Sequence, residues 1–206
     1  MLSHLVETGL ASSLTSPSYG ADTVYRLEVP GTGPIAIIQK GCPDGAHSSS
    51  RWTAPEWAQE VYLWWMCSSM KSHPGEHVVK GINRLRQRFE SDPAWRLTGV
   101  IFHNELCGSV NRPCPKQSKA IEIAGRSVPP PCVYLVPESD EASSTLNWTG
   151  ERKAVFPAIL MRAFGIDDVE QPFFEGYVGF QRRNNADLRT SVTIRFGAGR
   201  SSTYRS

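Results

Sequence analysis

Five short apolar runs, each flanked on at least one side by Gly, Pro, Asn or Asp, set the strongest limit on what this chain can become. They are TVYRLEV (23–29), PIAIIQK (34–40), LTGVIFH (97–103), CVYLV (132–136) and TSVTIRF (190–196). Runs of this length, rich in β-branched residues, are too short for stable helices and read as strands that must pair to satisfy their backbones. The first two are joined by Pro30-Gly31-Thr32-Gly33 and predict a hairpin over 23–39. A second hairpin is expected from 177–183 and 190–196 about Asn184–Asp187, with Val192, Ile194 and Phe196 on one face. Between them KAIEIAGRSV (119–128) alternates and turns at Gly125.

Three helices are expected among these strands. Thr53-Ala54-Pro55-Glu56 has the form of a capping box, with proline in the first turn where its missing donor does no harm. Trp57, Val61, Trp64 and Trp65 follow at i, i+4, i+7 and i+8, which predicts a helix whose aromatic face is packed in the core. A second helix should begin near Glu76, with Val78, Ile82, Leu85 and Phe89 facing inward and Lys80, Arg84 and Arg88 on another face, and end at Asp92-Pro93. A third is expected within 151–164, kinked by Pro157 or starting there. The order β-β-α-α-β-β-β-α-β-β implies an α+β fold, a mostly antiparallel or mixed sheet covered by two or three helices. At 206 residues the chain suits a single domain, 1–206, with a basic C-terminal arm at 197–206.

Composition excludes more than it selects. The five cysteines have no C-x-x-C spacing, which argues against a disulfide framework and a closed zinc site. MLSHLVETGLASSL lacks the basic start of a signal peptide, so a cytoplasmic or otherwise intracellular location is expected, without membrane contact. His103-Asn104-Glu105 with Pro113-Cys114 begins the zinc deaminase pattern, but the second thiolate is absent. No nucleophile elbow, P-loop or dinucleotide fingerprint is present.

Two constellations remain. Glu105 closes one apolar strand and Glu122 lies between Ile121 and Ile123 in another; carboxylates on neighbouring strands can hold Mg²⁺, which polarises a phosphate and activates a water. Over residues 97–136 this resembles the small type II restriction endonucleases of the PD-(D/E)XK class, in which an acid is followed by an acid-x-lysine pair. The resemblance implies a Mg²⁺-dependent DNA endonuclease with Glu105 and Glu122 as metal ligands. Position 124, where that lysine would stand, is Ala124, so Lys116 or Lys119 is left to supply the charge. The second constellation is basic: Arg182, Arg183, Arg189, Arg195, Arg200 and Arg205 face one acid, Asp187, from residue 181 onward. Arginine forks suit phosphate oxygens, so these residues with Lys80, Arg84 and Arg88 are expected to grip a nucleic-acid backbone, DNA in preference to RNA. A homodimer is compatible with this reading. The rival reading is a non-catalytic binding or assembly subunit, such as a viral structural protein or a component of a large complex.

Overall fold

The computed structural model describes residues 1–17, 23–40, 53–65, 74–89, 97–106, 110–111, 113–136, 155–183, 187–195 and 201–206. β1 (Ser13–Thr15), β2 (Val24–Val29) and β3 (Gly33–Lys40) form an antiparallel meander. β4 (Glu60–Trp65) and β5 (Gly99–His103) continue from β3 in parallel. β6 (Ile121–Ile123) and β7 (Arg126–Val128) form a separate hairpin. β8 (Cys132–Leu135) then runs antiparallel to β5, and β9 (Glu175–Arg183) parallel to β8. β10 (Asp187–Arg195) and β11 (Ser201–Arg205) finish the sheet antiparallel. Among the described residues the result is one nine-stranded mixed sheet, ordered β1-β2-β3-β4-β5-β8-β9-β10-β11, with three helices: α1 (Leu2–Glu7), α2 (Pro74–Phe89) and α3 (Val155–Ala163).

Alternate residues of the central strands enter two separate cores. Ala36, Ile38, Leu63, Trp65, Val100 and Phe102 pack with Val78, Val79, Ile82 and Leu85 of α2. Ile35, Ile37, Tyr62, Ile101 and Val133 pack with Leu2 and Leu5 of α1 and Phe156, Ile159 and Leu160 of α3. The helices therefore lie on opposite faces. Pro157 stands at the third position of α3, within the first turn, where it breaks no bond. That end of α3 is met by Glu60: its two carboxylate oxygens accept the amides of Val155 and Phe156 at 3.3 and 3.4 Å, while the Tyr62 hydroxyl donates to it at 2.9 Å. Negative charge there complements the orphan amides and the helix dipole.

Three expectations need correction. Residues 53–65 are not a helix: 53–59 are turn and irregular chain, and Glu60–Trp65 are a strand. The aromatic spacing misleads because β4 is buried on both faces, so its period of two disappears into an unbroken apolar run. The supposed C-terminal arm contains β11, an edge strand whose Tyr204 packs against the α2 core. Finally, β1 and α1 precede the expected first hairpin.

α2 also reaches the far side of the sheet. Thr190 of β10 donates its hydroxyl to Asn83 of α2 at 2.5 Å. Gly75 lies under the Tyr204 ring so closely that a Cβ there would sit 1.9 Å from the ring. α2 has sixteen residues and so spans about 24 Å, long enough to cross several strands and to touch β10 and β11 as well as pack on the central strands.

Trp65 is 2% exposed and its ring lies 5.2 Å from that of Phe102. Trp65→Ala should therefore destabilise by about 3–5 kcal/mol. Trp64→Ala, at a half-buried position on the other face, should cost distinctly less. Urea melts of the two variants that give equal losses would contradict the alternation in β4.

Candidate functional site

A polar surface built by regular structure is the α3-side face of β9, β10 and β11. Val192 and Ile194 of β10 turn into the α2 core, so Arg189, Ser191 and Thr193 turn the other way. Register then places Gln181 beside Arg189, Arg205 beside Ser191, and Tyr177 and Thr203 on either side of Thr193. Arg205, Thr203, Ser201 and Gln181 are exposed, and Arg189, Ser191 and Thr193 half-buried. Thr193 and Thr203 share a hydroxyl–hydroxyl bond of 3.1 Å, and Ser191 donates to the Gly179 carbonyl at 3.3 Å. These bonds hold a grid of short hydroxyls level with two guanidinium groups.

Glu175 is the one carboxylate among the described side chains of this face, at its lower end. It is 8% exposed, and burial raises its pKa against the opposing hydrogen bonds from Gln171 and Tyr177. Its charge is thus disfavoured where it would compete with a phosphate.

The other predicted residues are dispersed. Lys80 and Arg84 are exposed on α2, but α2 lies on the opposite face from Arg189, so the two basic groups do not form one path. Arg88, Arg182, Arg183 and Arg195 lie in α2, β9 and β10, with Arg183 opposite Asp187 and Arg195 opposite Ser201; Arg200 lies outside the described residues. Glu122 is exposed on the separate β6–β7 hairpin, whereas Glu105 follows β5. They are not on neighbouring strands. Ala124 is not on a strand at all: with φ of 50° it begins the turn completed by Gly125, so an acid-x-lysine pair has no common strand face there. Lys119 pairs with Glu170 at 2.7 Å. Among the described residues no group of three or more His, Cys, Asp or Glu is arranged to hold a metal, and no helix is long and apolar enough to cross a membrane.

Lys116 has a different setting from the expected one. It is 0% exposed, donates to the Glu105 carbonyl oxygen, and sits 3.5 Å from Nδ1 of His103. His103 ends β5 where the pairing with β8 shifts register, which sets it opposite Cys132 and on the α2 side where Cys132 packs. Burial, then the Lys116 charge, lower the His103 pKa from 6.5 to about 3, with His77 adding to this and the Glu105 carbonyl opposing it. Sequence reasoning weighed His103 as a zinc ligand and Lys116 as a partner to a metal. Its position at the close of an unbroken apolar strand was the available sign that the imidazole is enclosed.

The chain matches no protein-family model, no curated protein and no solved structure.

Because the folded state holds His103 neutral while the unfolded chain protonates near 6.5, the unfolded state binds more protons between these values. Stability from this source is full above pH 6.5 and falls as pH drops toward 3, by on the order of a few kcal/mol. Glu175 acts in the opposite sense, since a raised carboxyl pKa favours folding at low pH. His103→Gln should therefore flatten the pH dependence across this window. Parallel urea-melt profiles for wild type and variant would show that His103 is not held neutral.

Proposed function

We propose that the protein binds nucleic acid, DNA before RNA, through the face formed by β9, β10 and β11. The observation that carries this is the register itself: Arg205 stands opposite Ser191 and so diagonal to Arg189 on the neighbouring strand, on the face that also carries Thr193, Ser201 and Thr203. Arginine supplies a bidentate fork to phosphate oxygens, and hydroxyls supply short hydrogen bonds that fix position without reading sequence. Such a surface engages the backbone, so its affinity arises largely from counterion release.

Binding is the better reading than hydrolysis. Glu105 and Glu122 lie on unconnected elements, and the Lys116 amine is occupied by the Glu105 carbonyl and His103. The earlier restriction-endonuclease resemblance therefore adds no chemistry to this proposal.

Each phosphate contact contributes about −0.9 to the slope of log K against log salt on duplex DNA. Replacing Arg189 and Arg205 together by alanine should flatten that slope by up to about 2 units and weaken all sequences alike. Lys80→Ala with Arg84→Ala, on the other face, should leave it nearly unchanged. Superimposable isotherms for wild type and the Arg189/Arg205 double variant at every salt concentration would rule out this interface. In the same tubes Mg²⁺ and chelator should give equal binding and no cleaved DNA; cleavage lost in Glu122→Ala would restore the hydrolytic reading.

A further inference from the structure

The two edges of the nine-stranded sheet are built differently. β1 is three residues long, which limits what can pair with it. β11, at the opposite edge, runs five residues in unbroken register with β10, from Ser201 opposite Arg195 to Arg205 opposite Ser191. Ser201-Ser202-Thr203-Tyr204-Arg205 contains no proline and no lysine, and its pairing with β10 has no bulge. The usual devices that stop an edge from pairing further are absent from this strand.

The backbone of β11 divides into two sets. The Ser206 amide donates to the Thr190 carbonyl at 3.0 Å, which makes 190 and 206 a hydrogen-bonded pair. Alternation then turns the amides and carbonyls of Ser202 and Tyr204 toward β10, and those of Ser201, Thr203 and Arg205 outward. These three residues are exposed, and among the described residues no further strand lies beside them. Their side chains share the face that carries Arg189, so outward backbone groups and donor-bearing side chains belong to the same residues.

We infer that β11 is a self-association edge, pairing antiparallel with β11 of a second copy of this chain about a two-fold axis at Thr203. In that register Thr203 falls opposite the partner's Thr203, and Arg205 opposite the partner's Ser201, so every outward residue of the strand is matched. Each guanidinium meets a small hydroxyl, whereas moving the axis to Arg205 would set like charges opposite one another. Thr203 already shares a hydroxyl–hydroxyl bond with Thr193 at 3.1 Å, and cross-strand threonine pairs of this kind are favourable. On the α2 side Tyr204, which packs against that core, falls opposite the partner's Ser202, a ring beside a small side chain.

A two-fold pairing occupies both β11 edges, so association closes at two copies. The axis is normal to the sheet, so both copies turn the same face one way and their arginine-bearing faces become continuous. A strand about 17 Å long with about six backbone hydrogen bonds makes a small interface, so association is weak and concentration-dependent. The pairing needs no nucleic acid and stands or falls apart from the proposed binding.

The test is sedimentation velocity of the full chain, without nucleic acid, from micromolar to millimolar concentration. The mass should move from one copy toward two and no further. Thr203→Pro removes an outward N–H that β10 does not use, at a place where an edge strand tolerates proline. It should keep the wild-type far-UV circular dichroism and stay monomeric. Thr203→Lys and Thr203→Glu each set like charges across the axis, and each alone should associate about fivefold more weakly or worse. An equimolar mixture of those two should recover the dimer, which pairing at Thr203 requires and which serves even where Thr203→Pro does not fold. A wild-type chain monomeric at millimolar concentration, species that grow beyond two copies, a folded Thr203→Pro that still dimerises, or a Lys/Glu mixture no tighter than its components would overturn the pairing.

Discussion

A helix that connects two parallel neighbours can lie on only one side of the sheet once the direction of travel is set, because the crossover is right-handed. β4 and β5 point one way, and β8 and β9 the other, while both connections step in the same direction across the sheet. Reversing the strands while keeping the step exchanges the permitted face. α2 and α3 therefore must stand on opposite sides, which is where their buried residues are found. The reversal between β5 and β8 thus decides that there are two cores, and that β3, β4 and β5 are apolar on both faces.

The register shift at the end of β5 follows from the same junction. Here a strand buried on both sides meets one of opposite direction, and Ile101 pairs with Val133 while His103 pairs with Cys132. The extra residue brings Phe102 and His103 both toward α2, so an imidazole is enclosed at the close of an apolar strand. Lys116 arrives from the excursion between β5 and β8, carried by a short 3₁₀ turn over Pro115–Lys119. A polar pair in this setting must be satisfied locally, and the Glu105 carbonyl satisfies only part of it.

The sequence made legible those elements whose pattern is local. The hairpin over 23–39 and the one about Asn184–Asp187 declared themselves through alternation and turn residues, and both are present as β2–β3 and β9–β10. α2 was readable because one face alone is apolar, and KAIEIAGRSV because an exposed hairpin keeps its period of two. β4 was not. EVYLWW is buried on both faces with Trp64 alone half-buried, and the spacing of Trp57, Val61, Trp64 and Trp65 satisfies a helical template by coincidence. Thr53–Glu56 reinforced the error, since the same residues serve a turn that leads into a strand; Trp57 there lies under the Arg26 guanidinium at 4.8 Å. The arginines were visible in the sequence, but not their division between faces, which depends on pairing partners far apart in the chain.

That division has a geometric origin. α3 has nine residues and so spans about 13 Å, whereas nine strands extend across about 38 Å. One short helix on its side of the sheet reaches a few strands, with α1 packing beside it over β1 and β2. The same face of β10 and β11 lies beyond them and has to be compatible with water. On the α2 side no such freedom exists, because β10 and β11 lie under α2 through Thr190 and Tyr204. Apolar residues are thus required on one face of the C-terminal ribbon and polar ones on the other. Solvation alone would be met by any polar set, including lysine and glutamate. The exposed side chains described on this face are instead arginine, glutamine, serine and threonine, and Glu175, the one carboxylate among its described side chains, is buried and disposed toward its neutral form. A donor-rich surface with its negative charge suppressed is what a phosphate backbone needs, and solvation does not require it.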